Sequence, residues 1–241
     1  MRTAIVTGGT RGIGAAVVDG LLRAEGDWRV LCVARHVGNV AHHPNITFIS
    51  GDLSTAEGIA AVTRAVCEQA EVIDLIVNNA GAISDTDALH CVDDRAVVGS
   101  FRLHCAASLL LSNSLKARLE LAEGSSIINV GSIYGSVADP DVTAYALAKS
   151  AIPELTRIMA RAFAPKIRVN CVLPGHVDTD MTRGAPDEFV RSIVARTPLQ
   201  RLGTVAEIAN AILFLASRNA GFITGASLVI DGGYMIGPAG V

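Results

Sequence analysis

Seven short β-branched runs punctuate the chain, and stretches long enough for a helix separate most of them. They read TAIVT (3–7), RVLCVA (29–34), ITFIS (46–50), DLIVNN (74–79), SIINVGS (126–132), IRVNCVL (167–173) and SLVID (227–231). Helical patterns run from Ile13 to about Glu25, from about Thr55 to Ala70 and from about Val205 to Ser217. Strands joined through helices must cross over, and such crossovers are right-handed and leave neighbouring strands parallel. A parallel sheet is covered on both faces, so its strands are apolar throughout. Composition agrees: half of the 241 residues are apolar and only 4% are aromatic, which leaves Val, Ile, Leu and Ala to fill the core. The expectation is one α/β domain over residues 1–241, a doubly wound, mostly parallel, seven-stranded sheet with helices on both faces.

Between the sixth and seventh runs the pattern breaks down. Residues 174–226 carry Pro174, Gly184, Pro186 and Pro198 before the last helical stretch begins. In a doubly wound sheet the ligand crevice lies beyond the carboxyl ends of the strands. Residues 174–204 are therefore expected to form a substrate lid. Bulk properties narrow the partners. A formal charge of −3, from 20 basic and 23 acidic side chains, lacks the basic footprint of a nucleic-acid binder. No apolar run reaches the roughly 18 residues of a membrane span. Five cysteines, odd in number and scattered (32, 67, 91, 105 and 171), read as reduced thiols. No cysteine or histidine cluster has metal-ligand spacing, so no metal is expected. The chain enters its first strand at once, without the architecture of a signal peptide. These features lead to the expectation of a cytoplasmic domain that engages neither nucleic acid nor membrane.

The first run opens into TGGTRGIG, Thr7 to Gly14, with Gly8, Gly12 and Gly14 spaced G-x-x-x-G-x-G. Glycine admits positive φ and lets backbone N–H groups approach a pyrophosphate at a helix N-terminus. Many strand–turn–helix junctions need glycine, so the spacing alone is a modest signal. Its place, after the first strand and opening a helix, points to a dinucleotide and a Rossmann-type sheet. Further on, AYALAKS (144–150) sets Tyr145 and Lys149 four positions apart, one above the other on a helix. Such a pair is by itself common on exposed helices. A phenol titrating near pH ~10 is a poor proton donor or acceptor unless perturbed, and a neighbouring ammonium is expected to lower its pKa.

Six motifs occur in order: TGGTRGIG, NNAG (78–81), the serine of VGS (Ser132), YALAK (145–149), PGHVDTDM (174–181) and LVIDGG (228–233). Together they resemble the short-chain dehydrogenase/reductase family over nearly the whole chain, with a pattern nearest to the ketoacyl-acyl-carrier-protein reductases. The resemblance implies an oxidoreductase moving hydride between a nicotinamide cofactor and a carbonyl or secondary alcohol. Tyr145 would be the acid/base, Lys149 would tune it and bond the nicotinamide ribose, and Ser132 would hold the carbonyl oxygen. The implied cofactor site takes Gly8, Thr10, Arg11, Gly12, Ile13 and Gly14 from the first turn and Arg35 from the end of the second strand. Asp52 and Leu53 follow the third strand, Asn79, Ala80 and Gly81 the fourth, and Pro174, Gly175, Val177 and Thr179 the sixth; Tyr145 and Lys149 complete it. Asp52 would contact the adenine, although it is also placed to cap the helix beginning near Thr55. Asn78 and the NAG turn would underlie the ribose. The substrate would be a small carbonyl or alcohol, free or carrier-bound. Assembly as a homodimer or homotetramer, through the long helices and the C-terminal GYMIGPAGV, is implied as well.

The ribose 2′ position is read at the end of the second strand, where an acid suits NAD and an arginine suits NADP. Here VARH puts Ala34 where NAD-using relatives carry Asp, followed by Arg35. Arg11 adds a second charge suited to the same phosphate. NADP(H) is expected ahead of NAD(H), against the alternative that Arg35 is a solvated loop residue. One position departs from the family. His104, 28 residues before Ser132, stands where an active-site asparagine is expected, at a helix irregularity whose carbonyl holds a water linked to the lysine. Three readings stay open. The histidine could keep the carbonyl and join the relay because it titrates near neutrality, it could fill space, or the relay could be impaired. The last would leave an NADP(H)-binding regulatory or structural subunit with little turnover. Arg183, Arg191 and Arg196 in the lid would greet an acidic carrier or a phosphorylated substrate, or be solvated helix faces. His176 is expected only to line the lid, and His42 and His43 to lie in a polar loop.

Overall fold

The computed structural model describes residues 1–38 and 43–237. His42 and the last four residues of the C-terminal stretch lie outside the described residues. All seven runs are strands: β1 (Arg2–Thr7), β2 (Trp28–Ala34), β3 (Ile46–Ser50), β4 (Leu75–Asn78), β5 (Ser126–Val130), β6 (Arg168–Pro174) and β7 (Ser227–Ile230). They form one sheet in the order β3-β2-β1-β4-β5-β6-β7, and every pairing is parallel. The order reverses between β1 and β4, so the turns that follow these two strands open side by side. The helices are α1 (Gly12–Arg23), α2 (Ala56–Gln69), α3 (Asp94–Phe101), α4 (Ala107–Ser114), α5 (Lys116–Leu119), α6 (Thr143–Phe163), α7 (Asp180–Arg183), α8 (Asp187–Arg196) and α9 (Val205–Ala216). Among the described residues no helix is long and apolar enough to cross a membrane.

Strand side chains alternate between two cores. Ile5, Leu31, Ile76, Ile127 and Val169 meet Ile59 and Val62 of α2, Leu111 of α4, and Ile152 and Phe163 of α6. Ala4, Val6, Val30, Val77, Ile128 and Val172 meet Val17 and Leu21 of α1 and Ile208 and Ile212 of α9. Burial of both faces explains the near-continuous apolar runs. The ends of α9 are fixed in two ways. Thr204 and Glu207 form a reciprocal capping box at its start. The Arg168 guanidinium donates to the carbonyls of Leu215, Ala216 and Ser217 at its end, where helix carbonyls lack partners.

One polar chain runs through the dry interior. The Asn78 amide donates to Asn129 Oδ1 at 2.9 Å and to Ser112 Oγ at 3.1 Å, and the Asn129 amide donates to Thr156 Oγ1 at 3.0 Å. Asn78, read from the sequence as lying beneath a ribose, turns its side chain inward. Its amide is engaged inside, tying β4 to β5 and α4, while Asn129 ties β5 to α6. Asn129 and Thr156 are fully buried, so loss of either leaves neighbours without partners. Asn129→Ala should lower the unfolding free energy by about 1–3 kcal/mol, seen as a lower urea midpoint at unchanged slope. An unchanged midpoint would show that the chain of bonds contributes nothing.

Candidate active site

Gly8 (φ +66°) and Gly12 (φ +56°) carry the chain from β1 into α1 through left-handed backbone. A Cβ on Gly14 would fall 2.2 Å from the Gly8 carbonyl oxygen, so only glycine lets the helix begin this close. Thr7 Oγ1 accepts from the backbone N–H of Asn79 at 2.9 Å and of Ala80 at 3.0 Å. The Asn79 amide donates in return to the carbonyls of Thr7 and Gly8. The turns after β1 and β4 are thus laced together at the point where the strand order reverses. The turn after β6 reaches the same place: the Thr179 methyl lies 3.7 Å from where a Gly12 Cβ would sit. Pro174 ends β6, Gly175 passes so close to Asp231 that a Cβ would meet it at 2.7 Å, and buried Val177 bridges to Gly203. Thr10 packs beside Gly38 in the loop after β2.

Other expected cofactor residues divide by orientation. Arg11 and Arg35 are exposed on the rim. Asp52 lies on the same side. Hydrogen bonds from the Ser54 side chain and backbone, and more weakly the Arg35 charge, hold its carboxyl below the usual range. It is not the helix cap, because Thr55 caps α2 by accepting from Gly58 at 3.0 Å. Leu53 and Ile13 turn their side chains toward the two cores, which leaves their main chain for a ligand. The N-terminus of α1 has neither a side-chain cap nor an acidic residue in its first turn. A glycine cradle facing a bare helix N-terminus fits the pyrophosphate of a dinucleotide.

Ser132, Tyr145 and Lys149 converge beside this cradle. Ser132 lies just beyond β5, where its Oγ accepts from the Tyr134 N–H at 3.1 Å, and it sits close enough to the Tyr145 hydroxyl to act on its ionisation. The Lys149 ammonium stands 5.5 Å from the Tyr145 ring centroid and donates to the Val130 carbonyl at 2.7 Å. Burial pulls its pKa down to about 8. Tyr145 moves the other way. Burial raises its pKa, Ser132 offsets part of that rise, and the charge of Asp87 adds to it. The expected lowering by the ammonium is therefore not what this fold produces, because Lys149 is turned toward β5 and burial dominates. Pro153 removes the helix bond to the Lys149 carbonyl, and Gly135 packs there, where a Cβ would come within 2.9 Å.

His104 lies in a π turn, Arg102–Ala106, between α3 and α4, so the helix irregularity is present with histidine in place. The ring is 2% exposed and its Nε2 lies 2.9 Å from the Ala82 carbonyl, which puts the proton on Nε2 and leaves Nδ1 without a partner. It stands edge-on to Tyr145, with centroids 5.1 Å apart. Gly81 makes room: a Cβ there would come 2.7 Å from His104 Cε1. Burial, aided by the Lys149 charge, pulls the imidazole pKa down to about 3. The ring is neutral at working pH, which corrects the expectation that it titrates near neutrality. Two further features carry no sequence signature. Asp87, 2% exposed, accepts from the Tyr145 N–H at 3.0 Å through Oδ1 and from the Thr143 N–H through its carbonyl, while Oδ2 has no partner. It caps α6 from a distant loop, whereas Val142, the residue before that helix, offers no side-chain cap. His176, expected only to line a lid, also pairs with a side chain after β5: its Nε2 lies 3.0 Å from the Tyr134 hydroxyl.

Comparison with known proteins covers nearly the whole length. The family model described as enoyl-(acyl carrier protein) reductase matches residues 8–235. The 3-oxoacyl-(acyl-carrier-protein) reductase of Vibrio cholerae is 34% identical over 249 residues, 98% of each chain. The cis-4-hydroxycyclohexanecarboxylate dehydrogenase of Sinomonas cyclohexanicum is 33% identical over 242 residues, 97% of this chain and 96% of that one. Among solved structures, a short chain dehydrogenase family protein from Francisella tularensis superposes with a TM-score of 0.88 at 31% identity, covering 98% and 99% of the two chains. The Pseudomonas aeruginosa RhlG/NADP active-site complex gives 0.88 at 29%, covering 97% and 96%. A 4-hydroxyisoleucine dehydrogenase complexed with NADH gives 0.90 at 27%, covering 98% and 100%.

Asp87→Asn keeps the capping oxygen but removes the charge that faces Tyr145. Relieved of that repulsion, the phenolate should form at a lower pH, read by ultraviolet difference titration against Tyr145→Phe. A Tyr145 titration that does not move would show that the carboxylate is not felt.

Proposed function

The chain belongs to the short-chain dehydrogenase/reductase family of oxidoreductases, and on that premise we propose an NADP(H)-dependent carbonyl reductase or alcohol dehydrogenase working through Ser132, Tyr145 and Lys149. The observation that carries this is the convergence of two facing hydroxyls and a buried ammonium beside the glycine cradle. A substrate oxygen seated between Ser132 and Tyr145 receives hydrogen bonds that strengthen as negative charge develops on it. A nicotinamide held at the glycine cradle would supply hydride in one direction and accept it in the other. With its pKa raised by burial, Tyr145 keeps its proton at neutral pH and gives it up only to an oxygen becoming alkoxide. For alcohol oxidation the phenol must first lose that proton, against the rise that burial imposes. The Lys149 ammonium is the group that would bond the nicotinamide ribose. His104, neutral and donating its one ring proton to the Ala82 carbonyl, steadies the Tyr145 ring.

Arg35 and Arg11 support NADP(H): both are exposed at the cradle rim, and neither forms an ion pair among the described residues. In the proposed lid, residues 174–204, Arg183 is paired with Asp178 and Asp180, whereas Arg191 and Arg196 form no ion pair among the described residues, so a free and a carrier-bound substrate both fit. Self-assembly as a homodimer or homotetramer is supported by exposed apolar side chains: Val97, Val98 and Phe101 on α3, Leu109 and Leu110 on α4, and Leu147 and Ile158 on α6. The five free cysteines fit a cytoplasmic setting.

The test is cofactor consumption by the purified protein over ketones, β-ketoesters and quinones. NADPH should outperform NADH, and Arg35→Ala should narrow that gap. Tyr145→Phe should lower kcat by roughly 10²–10⁴-fold while NADPH still binds. Turnover that survives the loss of the phenol would overturn the proposal.

A further inference from the structure

Beside Tyr145 stands a polar pair that the proposed reaction does not use. Tyr134 stands 6.3 Å from Tyr145, ring to ring, and its hydroxyl is 3.0 Å from His176 Nε2. The His176 ring lies edge-on to Tyr134, Phe189 and Tyr234, at centroid distances of 5.5, 6.4 and 4.7 Å. Its Nδ1 is buried and has no partner. Packing alone would be served by phenylalanine at either position. Two groups able to donate or accept stand there instead.

Burial raises the Tyr134 phenol to about 12 and lowers the His176 imidazole, so both are neutral at working pH. Such a pair is amphoteric. With the proton on Nδ1 the phenol donates to Nε2; with it on Nε2 the imidazole donates and the phenol hydrogen is released to another acceptor. Asp139 and Arg196 act on both groups with opposite sign, and the Arg196 guanidinium lies 4.8 Å from the Tyr234 ring centroid. Opposed charges leave a pair suited to a neutral hydrogen-bonding group.

We propose that Tyr134 and His176 are specificity residues that read a second oxygen, a hydroxyl or carbonyl, on a substrate whose reacting carbonyl sits at Tyr145. This rests on the reaction proposed above and names its substrate class as hydroxyketones and dicarbonyl compounds. A site built to hydrogen-bond a substrate oxygen rejects the analogue lacking it, because its own polar groups are then left unpaired.

The experiment compares kcat/KM for pairs matched in shape: hydroxyacetone with butanone, 4-hydroxy-2-butanone with 2-pentanone, and 5-hydroxy-2-pentanone with 2-hexanone. The oxygenated member should win by at least about tenfold at one spacing, and that ratio should collapse toward unity in Tyr134→Phe and His176→Phe. Both variants keep an aromatic ring in place, and a merely structural defect would slow both members of a pair alike. A preference that persists in both variants, or no preference at any spacing, overturns the assignment. If no carbonyl turns over at all, the proposed reaction itself fails. The pair is then judged by calorimetric binding of 1,3-butanediol and 2-butanol to NADP-loaded protein. A preference for the diol that both variants lose upholds it, and equal affinities overturn it.

Discussion

The Lys149 ammonium, 4% exposed and bonded to the Val130 carbonyl at 2.7 Å, is the contact around which the site is organised. It pins α6 against the end of β5, so the phenol one turn earlier on the helix faces the serine that follows the strand. A buried cation is unfavourable unless it finds compensating partners. Here the partner is a neutral carbonyl, and the pKa falls to about 8 accordingly. The same dry surroundings push Tyr145 up and His104 down to about 3. Burial thus drives three neighbouring titratable groups toward their neutral forms. In the proposed reaction this withholds the proton until an alkoxide forms to take it.

The scaffold around that pocket is tied together from both sides. Asn78, Asn129 and Thr156 link two strands and a helix behind the site. Thr7 and Asn79 link the two turns in front of it. Glycine appears where a Cβ would collide with main chain or ring, as at Gly14 against Gly8 and at Gly81 against His104. The glycine cradle, the π turn and the start of α6 are therefore mutually dependent. Asp87 belongs to the same set, since the carboxylate that caps α6 also adds its charge to what Tyr145 feels.

Features with a fixed sequence period or spacing were legible before the fold was in view. The seven apolar runs gave strands because both faces of each are buried, and the glycine spacing marked a turn that no other residue could make. The site residues Ser132, Tyr145 and Lys149 were legible as a motif, and the structure brings them together. What the sequence hid depends on contacts between distant segments. Asp87 caps a helix that begins 56 residues later, so no local capping pattern could reveal it. The pairing of Tyr134 with His176 joins the ends of two different strands. The rise at Tyr145 and the fall at His104 follow from burial, which spacing does not report. Asn78 and Asp52 show the same limit at finer scale: residue type was legible, but the direction of the side chain and the identity of the cap were not.

The most direct measurement of the central claim is the fate of one labelled hydrogen. A ketone would be reduced with NADPH carrying deuterium on both positions of nicotinamide C4, and the alcohol examined by mass spectrometry and NMR. Every product molecule should carry one deuterium on its carbinol carbon, with a hydroxyl proton drawn from solvent by way of Tyr145. A product whose carbinol carbon carries solvent hydrogen, or cofactor oxidation with no labelled alcohol formed, would contradict the claim.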